Sequence, residues 1–320
     1  MTLLIQYTLI FASVLMLVAL GGCFAERSGV INIGLEGIMV IGALGGALVL
    51  KFMPVSVGAP VMVITTVIVS ALFGMVFSLL LAVAAINFKA DQTITGTAMN
   101  MLATAAATVA VKAMNTAASG GNDVSSDISY TRTKDLLLVH VGGFELNWFM
   151  LVAVLCLIAA YVALYKTRFG LRLRACGEHP QAADSVGINV YKMRYAGTTI
   201  SGALAGMGGF VYALTTANCT ANGDVAGFGF LALAVMIFGN WKPLNIAGAS
   251  LLFGLFKCIA AAYSSLDING DGVYWLAEIG ISSHVYRMLP YLITLVVLAF
   301  TSKKSRAPKA EGIPYDKGQR

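Results

Sequence analysis

Apolar runs separated by short polar breaks fill most of this chain, and their lengths predict helices. Leu3 to Leu20 is the first run, long enough at 1.5 Å per residue to cross a bilayer core. Gly21 to Arg27 reads as a small-residue break carrying Glu26 and Arg27. Ser28 to Leu50 is apolar but interrupted by Asn32 and Glu36, with Gly42-x-x-Gly45 at a spacing that lets helices approach closely. Further runs are Val61 to Ile86, Thr93 to Met114, Trp148 to Tyr165, Tyr195 to Ala217, Leu244 to Ser264 and Met288 to Phe300. Phe228 to Phe238 is only about half a bilayer long and reads as a re-entrant or extended segment. The pattern predicts an all-α polytopic membrane protein of roughly nine transmembrane helices. It forms one membrane domain, residues 1–301, followed by a basic tail, 302–320. A Gly-rich, polar-interrupted stretch in each half (Ser28 to Gly37 and Gly227 to Asn240) hints at a two-fold internal repeat around a midplane path.

Lys166 to Arg194 is the longest basic stretch between two apolar runs, with six Lys or Arg. Its middle carries a short helix signal. Gly177 opens it, Pro180 suits a first turn, Gln181 to Asp184 continue it, and Gly187 stops it. A two-turn helix has too few buried side chains to stand alone, so it either merely punctuates an orienting loop or docks on a partner. With this loop and the tail inside, 15 Lys and Arg fall on the inner side and 6 on the other. Basic loops resist crossing the bilayer, so the C-terminus is expected in the cytoplasm and the N-terminus outside.

Composition agrees with a membrane protein. Hydrophobic residues make up 58% and charged residues 11%, against roughly 25% charge in soluble domains. The net charge of +6 reflects membrane orientation and gives no nucleic-acid face. No CxxC pair occurs among the five Cys residues, and the first apolar run lacks the basic flank of a cleaved signal. HExxH, GxSxG and GxxxxGK[ST] patterns are missing, so the sequence offers no protease metal site, no esterase nucleophile and no ATP loop of its own.

An ionisable residue inside an apolar run is a functional candidate by default, and Glu36 is the clearest. The favoured reading is a carboxylate that accepts hydrogen bonds from a neighbouring helix; the sharper one places it on a translocation path. Asn32 and Asn100 follow the same logic. Phe228 and Phe230 could stack on a ligand ring, though packing is the more ordinary use of aromatics at this spacing. Lys257 is expected to snorkel or pair. Asp267, Asn269, Asp271 and Glu278 fit the spacing of a calcium loop, but the residues beside them do not read as a soluble helix pair, and a plain polar turn is favoured.

Four stretches carry a family resemblance: FAERSGVINIGLEGIMVIGA (Phe24 to Ala43), DQTITGTAMN (Asp91 to Asn100), GLRLRACGEHPQAADSVGINV (Gly170 to Val190), and RMLPYLITLVVLAF with APKAEGIPYDKG near the end. Together they resemble permease subunits of bacterial ABC importers for nucleosides and simple sugars, within the branched-chain amino acid and ribose permease superfamily. The tail looks like that of the shorter of two paired nucleoside permeases. The resemblance implies a coupling helix that docks on an ATPase subunit, carrying Arg174, Gly177, Glu178, Pro180, Ala182, Ala183, Asp184 and Gly187. It further implies ATP and Mg bound by that ATPase, no cofactor on this chain, a second permease, an extracytoplasmic binding protein, and a place in the bacterial cytoplasmic membrane. Ion-coupled secondary transport is the rival class; it would need acidic residues at midplane, for which Glu36 is the fair candidate.

Overall fold

A computed structural model of the protein describes residues 2–54, 56–121, 125, 127–129, 137–141, 144–215, 220–221, 223–264, 278, 282–301 and 307–318. Each of the nine apolar runs carries a helix. In chain order these are α1 (Thr2–Arg27), α2 (Leu35–Phe52), α3 (Ala59–Ala82, continued by a π turn Val83–Asn87), α4 (Gln92–Ala118), α5 (Trp148–Lys166), α8 (Val190–Thr215), α9 (Phe228–Phe238), α10 (Pro243–Ala262) and α11 (Ser283–Thr301). Two more, α6 (Arg168–Glu178) and α7 (Pro180–Ser185), lie in the basic stretch between α5 and α8. Among the described residues, six helices are long and apolar enough to cross a membrane: α1 to α5 and α10. Two short antiparallel strand pairs close the opposite end: β1 (Ile128–Ser129) with β4 (Thr220–Ala221), and β2 (Leu138–Val141) with β3 (Phe144–Asn147).

The helices are arranged around α1 and α8. Helix α1 packs on α8, α10, α9 and α5, and α8 packs on α1, α2 and α3. Leu15, Leu17, Val18, Leu20 and Cys23 of α1 are completely buried. Lipid tails are as apolar as leucine, so close backbone packing must supply what burial from water supplies elsewhere. Three glycines do this on α2, α3 and α8. A side-chain carbon added to Gly42 or Gly74 would collide with the Gly206 backbone, and one added to Gly206 would collide with the Ser70 carbonyl of α3. Helices α3 and α5 instead turn large apolar side chains outward, among them Ile64, Ile68 and Val76, and Leu151, Leu155 and Ile158. That is the face a bilayer solvates.

Three expectations are corrected. Gly21 to Arg27 does not break the first helix. Gly21 and Gly22 sit against the α8 backbone, Leu35 and Met236, so they serve packing and α1 runs on to Arg27. The basic stretch is not one loop with one short helix. The Thr167 hydroxyl caps α6 by accepting from Gly170 N at 3.2 Å, and Tyr191, Lys192 and Arg194 already belong to α8. Gly177 does not open the short helix but lies near the end of α6. The break falls at His179, whose φ of −143° suits a residue that Pro180 bars from the helical region.

Of the calcium-loop residues, Asp267, Asn269 and Asp271 lie outside the described residues, and Glu278 is exposed.

Candidate functional site

Helices α1, α3, α5 and α9 end, and α4, α8 and α10 begin, at the end of the bundle that carries α6 and α7, whereas α2 begins inside the bundle, level with Asn100 of α4. Arg27, Lys89, Lys166, Arg172 and Lys242 gather there, and this end is termed the basic end below.

Helix α9 covers only part of the thickness, and both of its ends are held by carboxylates from other helices. At its start, Gly227 takes a left-handed conformation (φ 73°) and turns the chain into the helix. The Glu36 carboxylate accepts from Gly227 N at 2.7 Å with one oxygen and from Gly229 N at 2.6 Å with the other. An anion on otherwise unpaired N–H groups at a helix start is favoured by both hydrogen bonding and the helix dipole. Phe228 stacks on Phe11 at 6.0 Å and meets Tyr212 at 4.8 Å, so the start of α9 lies well inside the bundle. At its end, Trp241 Nε1 donates to Glu26 Oε2 at 2.5 Å. Arg27 donates twice to the Trp241 carbonyl, at 3.2 and 3.1 Å, and makes an ion pair with Glu178 of α6 at 3.9 Å. Asn240 and Trp241 are both left-handed (φ 53° and 52°), a strained state for a tryptophan, which these buried partners hold in place.

The membrane candidates separate by exposure. Asn32 is completely buried and donates to the Ser201 hydroxyl at 2.9 Å. Asn100 is half-buried and joins α4 to α2, accepting from Gly37 N at 2.8 Å and donating to the Ile33 carbonyl at 3.0 Å. Phe228 is 1% exposed, with the Lys257 ammonium 4.6 Å from its ring centroid, so it is core and does not line an open path. Phe230 is 49% exposed. An open trough of 580 Å³ runs along α4, lined by Asn100, Met101, Thr104, Ala105, Thr108 and Val109. The turn before α9 abuts it, since a side-chain carbon on Gly223 would lie 2.9 Å from Thr108 Oγ1.

At the basic end, α7 rests on the bundle through Pro180 and Ala183. Gln181, Ala182, Ser185, Val186 and Gly187 are exposed, and Val186 is bare at 75%. Asp184 and Arg174 are half-buried, with the Arg174 guanidinium 4.7 Å from the Tyr165 ring centroid. Gly177 is fixed by a close approach. A side-chain carbon there would collide with the Arg27 carbonyl, so only glycine lets α6 touch the end of α1. Burial pushes the Cys176 thiol up to about 11, leaving it a packing group.

Sequence reasoning missed four contributors: Glu26, Trp241, Arg194 and residues 307–318. The sequence puts Glu26 and Arg27 in a break between apolar runs, and Trp241 lies between the runs Phe228 to Phe238 and Leu244 to Ser264. Their pairing across more than 200 residues leaves no local signal.

The model for the permease component of branched-chain amino acid transport systems matches residues 4–298. The guanosine ABC transporter permease protein NupQ of Bacillus subtilis is 40% identical over 326 residues, covering 100% of this chain and 98% of the relative. The nucleoside ABC transporter permease protein NupC of Lactococcus lactis is 38% identical over 317 residues, covering 97% and 96%. NupB of the same organism, also named a nucleoside ABC transporter permease protein, is 25% identical over 322 residues, covering 96% and 83%. No solved structure matches. With helices placed as the apolar pattern requires and similarity along the whole chain, this protein belongs to the family of permease components of the branched-chain amino acid transport systems.

Proposed function

We propose that this chain is a membrane-spanning, non-catalytic permease subunit of an ABC importer that moves nucleosides inward. The observation that carries the reading is end-to-end similarity to NupQ and NupC, proteins named for guanosine and nucleoside transport. The basic end is then cytoplasmic, by the positive-inside bias, and the membrane is the cytoplasmic membrane of a bacterium. ATP and Mg belong to a partner ATPase. The exposed edge of α7 (Gln181, Ala182, Ser185, Val186) is the surface on which that ATPase docks. A second permease completes the pathway; Lactococcus lactis has both NupB and NupC, which supports a paired arrangement. An extracytoplasmic binding protein delivers the ligand.

The α4 trough is the stretch of this subunit best suited to line the path. Thr104 and half-buried Asn100 and Thr108 give it hydroxyl and amide groups, where the outward faces of α3 and α5 are aliphatic. Polar groups at membrane depth face an aqueous cavity or another helix rather than lipid. ATP-driven closure of the partner displaces α7, and the membrane helices repack across glycine interfaces to open the path inward.

Co-expression of this chain with the ATPase and second permease encoded beside it, followed by purification in detergent, tests the assembly. A stable complex is expected, and Ala182→Arg on the exposed edge of α7 should lose the ATPase while leaving the permease inserted. An intact complex in that variant contradicts the docking surface. Reproducible lack of any ATPase complex with the native chain points to the secondary-transporter class.

A further inference from the structure

The tail was expected as a separate basic extension. Residues 307–318 instead lie packed between α7 and the membrane helices and touch four separate parts of the chain. Ala310 N donates to the Gly177 carbonyl of α6 at 2.8 Å. Gly312 N donates to the Gly29 carbonyl, in the turn between α1 and α2, at 3.2 Å. Arg194 at the start of α8 donates through Nη1 to the Ile313 carbonyl at 2.9 Å. Asp316 pairs with Lys89 Nζ, in the turn between α3 and α4, at 2.7 Å.

Tyr315 occupies the centre of this contact. It is 4% exposed, packs with Cys176 of α6, Ala183 of α7 and Val190 of α8, and meets the Tyr191 ring edge-on at 5.3 Å. Ala183 is one of two buried side chains on α7, so Tyr315 forms much of the floor on which α7 sits. Arg194 is 1% exposed, and its Nε and Nη2 have no acceptor among the described residues. The Ile313 carbonyl is therefore the acceptor that the structure supplies to a buried cation, which fixes the segment where it lies.

We propose that residues 307–318 are a coupling strap, positioning α7 against the membrane helices so that displacement of α7 is passed to the buried chain leading into α2. This rests on the transporter reading above, in which α7 receives the push of the ATPase. The route is contiguous. Ala183 clusters with Tyr315, Ile313 and Gly312 bear on Arg194 and Gly29, and Gly29 lies in the irregular stretch Ser28–Gly34 that leads into the first turn of α2, where Glu36 stands. Glu36 in turn holds the start of α9. Without the strap, α7 would keep its links to α6 and α8 and the contacts of Pro180, but would lose Tyr315 from the cluster around Ala183. An element with so few buried side chains would then tilt on its own rather than carry its neighbours.

The test uses the complete transporter in proteoliposomes and reads nucleoside accumulated per ATP hydrolysed. A chain ending at Arg306, and Tyr315→Ala in the full chain, should both keep the ATPase bound and hydrolysing while that ratio falls about fivefold or more. Tyr315→Phe, which retains the ring, should restore most of it. Lys89→Asp and Asp316→Lys should each lower the ratio modestly, and the double exchange should recover it. If the truncated chain fails to assemble, the Tyr315 and charge-exchange variants decide. A ratio equal to the native one in Tyr315→Ala and in both single exchanges overturns the strap. Failure of the native complex to accumulate nucleoside with ATP overturns the transporter reading instead, so the two failures are distinguishable.

Discussion

The two ends of α9 are held by the same chemistry in different surroundings. At the inner end a single carboxylate, Glu36, caps two backbone N–H groups beside a half-exposed Phe230 and near the α4 trough. At the basic end Glu26 is almost completely buried and binds an indole, and Arg27 beside it ties Trp241 to Glu178 of α6. The inner contact is a local cap next to open space. The outer one is a node of a network that reaches α6, and Glu311 of the tail lies close enough to interact with Glu26. A short helix pinned in this way can be repositioned from one end while the other stays beside the α4 trough. Each carboxylate meets a donor that the apolar surroundings cannot: Glu36 takes the backbone N–H groups at the start of a broken segment, and Glu26 takes a buried indole N–H.

Removing the inner cap should cost most. Glu36→Leu strips charge-assisted bonds from two N–H groups inside the bundle and should lower stability by about 3 kcal/mol. Thermal unfolding in detergent measures this. Glu36→Gln, which keeps one acceptor oxygen at the site, should retain about half. Equal stability of the leucine variant and the native protein would show that the cap holds nothing.

Trp241→Phe probes the other end and should cost less, about 1–2 kcal/mol, because Arg27 still holds the backbone there. If this variant proves the more damaging of the two, the outer network rather than the cap is what fixes α9.

The smallest effect expected is one of pH. Burial pushes Glu311 above the usual carboxylate range, with Arg27 opposing the shift. The docked tail therefore favours the neutral acid. Its hold is full below the ordinary carboxylate range and weakens as pH rises through the raised value. Lys89 holds Asp316 below its usual range, so that pair stays ionised across this window. A spin label at position 317 should become more mobile as pH rises, and Glu311→Gln should flatten the response. An unchanged slope in that variant assigns the effect elsewhere.

The apolar pattern made the membrane helices legible, including the short α9, whose bounds coincide with its run from Phe228 to Phe238. Glu36 was readable as a hydrogen-bond acceptor because a charge within an apolar run needs a partner. Three features were not. Helix α6 is polar and amphipathic and reads as loop. Its order comes from Leu173, Cys176 and Gly177 packing against chain that lies far away in sequence. Arg194 looked like a loop cation yet is buried, because its partner is a backbone carbonyl 119 residues later. The tail reads as a basic extension because the groups it meets, Gly29, Lys89, Gly177 and Arg194, all lie more than 100 residues away and leave no local pattern. Phe228 and Phe230 show the same limit. They stand two residues apart and are equally aromatic, but residues so spaced on a helix point to nearly opposite sides, and which side is core is set by the packing of α9 in the bundle.

The most direct measurement is uptake of labelled guanosine, adenosine, ribose and riboflavin by cells carrying this chain with its neighbouring subunits, with and without ATP depletion. ATP-dependent nucleoside uptake that disappears when this subunit is deleted is the predicted result. Uptake of ribose or riboflavin alone would contradict the nucleoside assignment, and uptake that survives ATP depletion but follows an ion gradient would contradict the ATP-driven mechanism.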